Sequence, residues 1–230
     1  MNIIWLTHGS WRIETAGQVL LIDPWLTGNP MLDESQHEPA TAGATHLLLT
    51  HTHADHVTDI LSLARKLDIP VVGQYDLMAH WEATEGIQTI GFNKGGTIDL
   101  EGIKVSMVPA SHSNTMTTPD GPLVVGTEIG FMISSEGKTV YASGDTDIMA
   151  DMAWMGDFYA PDIGILSAGG HFTMDMKGAA YAARTYFNFK TVIPGHYKTF
   201  PILEQSAQAL IDGLPGVDVI EPEALKAITL

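Results

Sequence analysis

Six consecutive residues, His51-Thr52-His53-Ala54-Asp55-His56, gather three imidazoles and a carboxylate where the apolar run His46–Thr50 gives way to a helical pattern beginning near Val57. In extended backbone, side chains two apart point the same way, so His51 and His53 can face one cation. As the chain turns into the helix, Asp55 and His56 can swing towards a second ion. Such a cluster is costly to desolvate unless something binds it, and metal-assisted chemistry is the first reading. Six residues cannot saturate two ions, so further ligands must reach the same edge. Three candidates stand just beyond apolar strands: His112 in Pro109-Ala110-Ser111-His112, Asp145 in Ser143-Gly144-Asp145-Thr146 and His196 in Pro194-Gly195-His196-Tyr197. Gly144 and Gly195 permit sharp turns there. With no cysteine in 230 residues, thiolate zinc sites, iron–sulfur clusters, disulfides and a cysteine nucleophile are excluded.

The elements that must position these groups are legible in outline. Runs rich in Val, Ile and Leu at Ile3–Leu6, Val19–Ile22, His46–Thr50, Pro70–Gly73, Ile87–Phe92, Ile103–Val108, Leu123–Ile133, Thr139–Ala142, Ile163–Leu166 and Thr191–Ile193 read as strands. Glu101-Gly102 and Glu136-Gly137 are turn dipeptides that fit hairpins. Val57, Ile60, Leu61, Ala64 and Leu67 share a helix face, and helices are also expected over Asp175–Phe187, Leu203–Leu214, Gln74–Glu85 and Asp147–Trp154. Hairpins followed by strand–helix alternation, twice over, predict an α/β (α+β) fold: a four-layer αββα sandwich in a single domain, residues 1–230. The polar segment Ser111–Pro122 is read as an irregular loop near the site.

Charge narrows the partners. Eleven Lys+Arg against 27 Asp+Glu give a formal charge of −16, and the scattered basic residues offer no phosphate-neutralising patch, so nucleic-acid binding is not expected. The N-terminus fits neither a signal nor a transit peptide, and no stretch reaches the roughly 20 apolar residues of a membrane span. A cytoplasmic protein acting on a small molecule, without membrane or nucleic-acid partners, is the expectation.

The order HxHxDH, then His, Asp and His, resembles the metallo-β-lactamase-fold hydrolases. Thr7-His8-Gly9-Ser10 with Ile13-Glu14, Leu21-Ile22-Asp23-Pro24, Gly169-Gly170-His171-Phe172-Thr173-Met174 and the terminal His-Tyr-x-Thr-Phe are similar to the small single-domain metal-dependent hydrolases related to L-ascorbate-6-phosphate lactonase. This resemblance implies that His51, His53 and His112 hold one metal, that Asp55, His56 and His196 hold a second, and that Asp145 bridges them. It also makes a homo-oligomer plausible. Two divalent ions are expected, zinc first, with manganese, iron or nickel as alternatives. A bridging hydroxide would attack a small ester-like substrate, a lactone or phosphoester, with Asp55 orienting it and passing on its proton. The resemblance places His8 and His171 near the pocket, where either could bind substrate or protonate a leaving group. Asp23 reads as a structural acceptor beneath the site, and Tyr197 as an oxyanion donor or a packing residue. The alternatives are a phosphodiesterase acting on a lipid or cyclic nucleotide, and a non-catalytic metal-binding or sensor protein on the same fold.

Overall fold

Successive strand residues face opposite sides of a sheet, so a strand apolar on both faces must be covered on both. The computed structural model, which describes residues 1–230, supplies those covers. The first half of the chain runs β1 (Asn2–Trp5), β2 (Trp11–Thr15), β3 (Gln18–Ile22), α1 (Glu34–Thr41), β4 (His46–Leu48), α2 (Ala54–Val57), α3 (Ile60–Leu67), β5 (Val71–Gln74), α4 (Tyr75–Glu85) and β6 (Thr89–Phe92). The second half starts with β7 (Thr97–Leu100), β8 (Ile103–Pro109), β9 (Thr115–Thr118), β10 (Gly121–Val124), β11 (Ile129–Ser135) and β12 (Lys138–Ala142). It continues through α5 (Met152–Tyr159), β13 (Ile163–Ser167), α6 (Met176–Tyr186), β14 (Thr191–Gly195), α7 (Gln208–Gly213), β15 (Asp218–Val219) and β16 (Ala227–Thr229).

Two seven-stranded sheets result, in the orders β16-β1-β2-β3-β4-β5-β6 and β15-β14-β13-β12-β11-β8-β7. In each, antiparallel pairs lead into a parallel run, from β3 to β6 in the first and from β12 to β15 in the second. These are the two similar halves expected from the element order. Ile13, Leu20, Ile22, Leu48 and Val72 of the first sheet meet Val105, Met107, Phe131 and Ile133 of the second in a shared core. Leu21, Leu47 and Val71 face the other way, onto Ile60 and Leu63 of α3 and Leu77 and Trp81 of α4. Met152 and Met155 of α5 and Ala179 and Ala183 of α6 cover the far side of the second sheet, completing the αββα order. No helix is long and apolar enough to cross a membrane.

Glu101 and Gly102, and Glu136 and Gly137, all adopt positive φ, the backbone of two-residue hairpin turns. Elsewhere the structure departs from the apolar-run reading. Strands β2 and β7 alternate polar and apolar residues, so no continuous run announces them. The expected strand Leu123–Ile133 is two strands, β10 and β11, parted at Gly126, whose φ is 114°. Half of the expected loop Ser111–Pro122 folds instead into β9 and the start of β10, which pair as a hairpin. Helix α1 has a capping box, in which the backbone N–H of Asp33 donates to the Gln36 side chain at 2.9 Å. Its mostly polar faces hid it from a search for apolar periodicity. Of Leu203–Leu214 only α7 is helical, and the helix expected at Asp147–Trp154 begins at Met152 and runs to Tyr159.

Candidate metal centre

The candidate ligands converge because strand ends from both sheets open on one edge. His51 lies just beyond β4, His53 caps the N-terminus of α2, and Asp55 and His56 occupy its first turn. His112 follows β8, Asp145 follows β12 and His196 follows β14. His8, Asp23 and His196 all have positive φ, at 51°, 46° and 58°. Left-handed backbone at non-glycine residues costs free energy, and it concentrates here where side chains must be aimed.

Two groups of donor atoms form. Nδ1 of His53 lies 3.1 Å from Nε2 of His51 and 3.2 Å from Nε2 of His112. In the other group, Oδ2 of Asp55 lies 3.6 Å from Nε2 of His56 and 3.4 Å from Nε2 of His196. Asp145 stands between them, its Oδ2 3.9 Å from His51, 3.7 Å from His112, 3.4 Å from His56 and 3.0 Å from His196. Ligands about 2.0–2.1 Å from one tetrahedral cation stand roughly 3.3 Å apart, the scale of these spacings. His51, His56, Asp145 and His196 are buried, and His53, Asp55 and His112 are partly exposed, so the cluster has a closed floor and an open mouth.

Outer hydrogen bonds decide which ring nitrogens face inward. Asp23 is buried, and its Oδ2 accepts from Nδ1 of His56 at 2.8 Å and from the Thr50 hydroxyl. That leaves Nε2 of His56 buried, aimed at the cluster and without a hydrogen-bond partner. With its proton given to Asp23, Thr50 Oγ1 accepts from Nδ1 of His51 at 3.0 Å, so Nε2 of His51 also turns inward as a lone pair. Oγ of Ser113 holds Nε2 of His53 at 3.2 Å, and Asn114 Oδ1 accepts from both the backbone N–H and the hydroxyl of Thr52, at 2.9 and 2.7 Å. Ring nitrogens and carboxylate oxygens converging in two groups, with an orphaned buried nitrogen among them, fit divalent cations. Loss of the Thr52 anchor in Asn114→Ala should cost about 1–3 kcal/mol of stability by leaving buried donors unpaired. Melting curves with and without added Zn²⁺ should then show a smaller ion-induced rise in Tm than wild type.

Electrostatics point the same way. Burial lowers the pKa of His56 and His196, yet Asp145 and its fellow carboxylates overcome it, holding His56 well above the ordinary histidine value and His196 up at about 9. Burial raises Asp145, but His196 and His56 hold it well below the ordinary carboxylate range. In the metal-free protein, protons thus sit where cation charge is wanted. Divalent ions added at pH 7 should displace them, and affinity should rise as pH climbs through about 9, where His196 loses its proton unaided. Calorimetric titrations in two buffers of different ionisation enthalpy read the proton release directly.

The remaining sequence candidates separate. His8 is buried beside the cluster; its Nε2 lies 2.7 Å from Oδ2 of Asp55 and its Nδ1 2.8 Å from the Thr199 hydroxyl, and burial pushes its pKa down to about 4. Neutral His8 can therefore donate to Asp55 and accept from Thr199. His171 is exposed, makes no hydrogen bond, and lines a separate hollow with Asp175 and Glu204. The turn that carries it presents Phe172 to the cavity over the ligand cluster instead. Gly169 permits that turn, since a Cβ there would lie 1.8 Å from the His196 carbonyl oxygen. Tyr197 is fully buried, stacked on Trp5 with ring centroids 5.5 Å apart, and takes the packing role. Thr50, Ser113, Asn114 and Thr199 were given no role by the sequence reading, although Thr199 lies in the His-Tyr-x-Thr-Phe motif, Ser113 and Asn114 in the loop expected near the site, and Thr50 directly before the histidine motif.

Two packed sheets with a histidine- and aspartate-lined edge define a metallo-β-lactamase-fold protein, and residues 18–197 match the family model of the beta-lactamase superfamily domain. The solved metallo hydrolase Igni18 of Ignicoccus hospitalis is 28% identical with a TM-score of 0.85, the alignment covering 99% of this chain and 97% of that one. A UPF0173 metal-dependent hydrolase of Ruegeria pomeroyi is 71% identical over 99% of both chains, and one of Ruegeria sp. is 69% identical over the full length of both. The chain belongs to the UPF0173 metal-dependent hydrolase family.

Proposed function

We propose that this metal-dependent hydrolase is dinuclear and cleaves a small ester-like substrate, a lactone or a phosphoester. The observation that carries the reading is the position of Asp145 Oδ2, within 4 Å of imidazole nitrogens from both ligand groups. His51, His53 and His112 would hold one ion, Asp55, His56 and His196 the other, and Asp145 both. What divalent ions supply in such a site is water ionised near neutral pH and polarisation of the bond under attack. Zinc is the first expectation from the imidazole content, with manganese, iron or nickel as alternatives.

The chain's own groups then handle protons. Asp55 lines the cavity and has its Oδ2 engaged by His8, while its Oδ1 makes no protein hydrogen bond. That oxygen is free to orient the attacking water and to carry its proton to the leaving group. His8, held by Thr199, fixes the carboxylate's rotation and acts as a positioning residue.

The test is hydrolysis of a sugar-acid lactone series and an activated phosphodiester by metal-reconstituted protein, beside a chelated control. Turnover of either that the chelator abolishes supports the reading. Turnover unaffected by the chelator in protein with no measurable divalent ion overturns it, and inactivity on every class tested favours the non-catalytic alternative.

A further inference from the structure

We propose that the substrate is uncharged and lays an apolar or aromatic flank against Phe172 and Phe200, which makes it a lactone or carboxylic ester rather than a phosphorylated molecule. The proposal rests on the hydrolase reading above and narrows it. The cavity over the ligand cluster holds about 290 Å³, near the lower end of small-molecule sites. Five of its seven lining residues are candidate ligands, the sixth is Ser113 and the seventh is Phe172.

No lysine or arginine lines that cavity. Away from the ions themselves, an anionic substituent such as phosphate is ordinarily held by charge-assisted hydrogen bonds from such side chains, and five of this chain's eleven basic residues are paired elsewhere. Arg12, Arg65, Lys190 and Lys226 pair with Glu14, Glu85, Asp162 and Glu223. Lys198, only two residues beyond His196, turns away to Glu221 and lies over the Tyr197 ring, 5.1 Å from its centroid.

The mouth offers aromatic surface in place of cations. Phe172 is 53% exposed and Phe200 is 37% exposed. The Phe200 ring stands edge-on to His8, with centroids 5.8 Å apart, and 6.1 Å from Trp25. Their two loops are tied together, because Glu204 N donates to Gly169 O and Lys198 N to Glu204 O, each at 2.9 Å. The two loops are therefore joined, with Phe172 lining the cavity and Phe200 standing against His8. Apolar walls over a few convergent polar groups are the pattern of a site that binds by burial and orients by polar contact.

The test compares three δ-lactones on the metal-loaded protein at low ionic strength: unsubstituted, phenylalkyl-substituted, and the same phenylalkyl lactone carrying a phosphate. Calorimetric binding of the matching lactams, which are not consumed, provides a readout independent of turnover. The phenylalkyl lactone should exceed both others in kcat/KM by about 10-fold, the scale on which an apolar pocket discriminates. Phe172→Ala should reduce its advantage over the unsubstituted lactone, and Phe172→Leu should preserve most of it. Equal or better processing or binding of the phosphorylated compounds overturns the proposal while leaving the hydrolase reading intact. Phenyl-dependent lactam binding without chelator-sensitive turnover supports the pocket assignment and tells against the hydrolase reading. Neither turnover nor lactam binding overturns the proposal outright.

Discussion

Asp145→Asn should lose chelator-sensitive hydrolysis by more than about 100-fold, beyond what loss of an outer hydrogen-bond partner of a metal ligand costs. One carboxylate oxygen serves four imidazoles, and the asparagine keeps its volume while removing its charge. The bound ions should fall below the wild-type number, as read by elemental analysis after gel filtration. A second readout separates a lost site from a lost fold. Without the Asp145 charge, His196 in the metal-free variant should titrate below its value of about 9, seen by NMR of the imidazole protons in a protein with unchanged circular dichroism. A variant that keeps both its metal content and its turnover would falsify the assignment of Asp145 as the shared ligand.

The second large effect is expected from a residue outside both proposed ligand groups. Asp23 accepts the Thr50 backbone N–H at 2.8 Å, the Thr50 hydroxyl, and Nδ1–H of His56 at 2.8 Å. Burial raises its carboxyl's pKa, and the His56 and Thr50 donors oppose that rise. In Asp23→Asn an amide of the same shape can still accept from Thr50 but presents an NH₂ to His56. Nδ1 of His56 then becomes the acceptor and the ring proton moves to Nε2, the atom that must face the ion. The variant should fold yet bind its metals about 10–100-fold more weakly, with activity falling in step. Asp23→Ala should in addition lose about 3–5 kcal/mol of stability, because His56 stays buried with its partner gone. Wild-type metal affinity in Asp23→Asn, measured by competition with a chromophoric chelator, would remove the tautomer argument.

The contrast between these two aspartates shows what each level of description reaches. Asp145 was legible because it follows a strand and a glycine at the edge where the histidine motif lies. Asp23 was legible only as an acceptor beneath the site, since the tautomer it imposes on His56 depends on which ring nitrogen points at it. Asn114, inside a segment with no periodicity, gave no sign that it would hold Thr52 between two candidate ligands. His171 and Phe172 make the same point in reverse. Their shared turn was visible in Gly169-Gly170, but the left-handed backbone at Gly170 and His171, with φ of 66° and 49°, decides which side chain meets the cavity.

By itself, the amino-acid sequence determined the αββα class, through doubled hairpin-and-alternation order, and named a candidate donor set, through residue types at strand ends. Both follow from local rules: periodicities of two and 3.6, turn dipeptides, and the few side chains able to ligate a cation. Strands β2 and β7 and helix α1 escaped because none carries a continuous apolar run or stripe, and β9 because its residues are mostly polar and it pairs only with its hairpin neighbour β10. Tertiary structure alone decided which nitrogen of each ring turns inward, and that Phe172 rather than a cation lines the cavity. Those are matters of a few ångströms between residues as far apart as His8 and Thr199, set by the packing of two sheets and not by any stretch of chain.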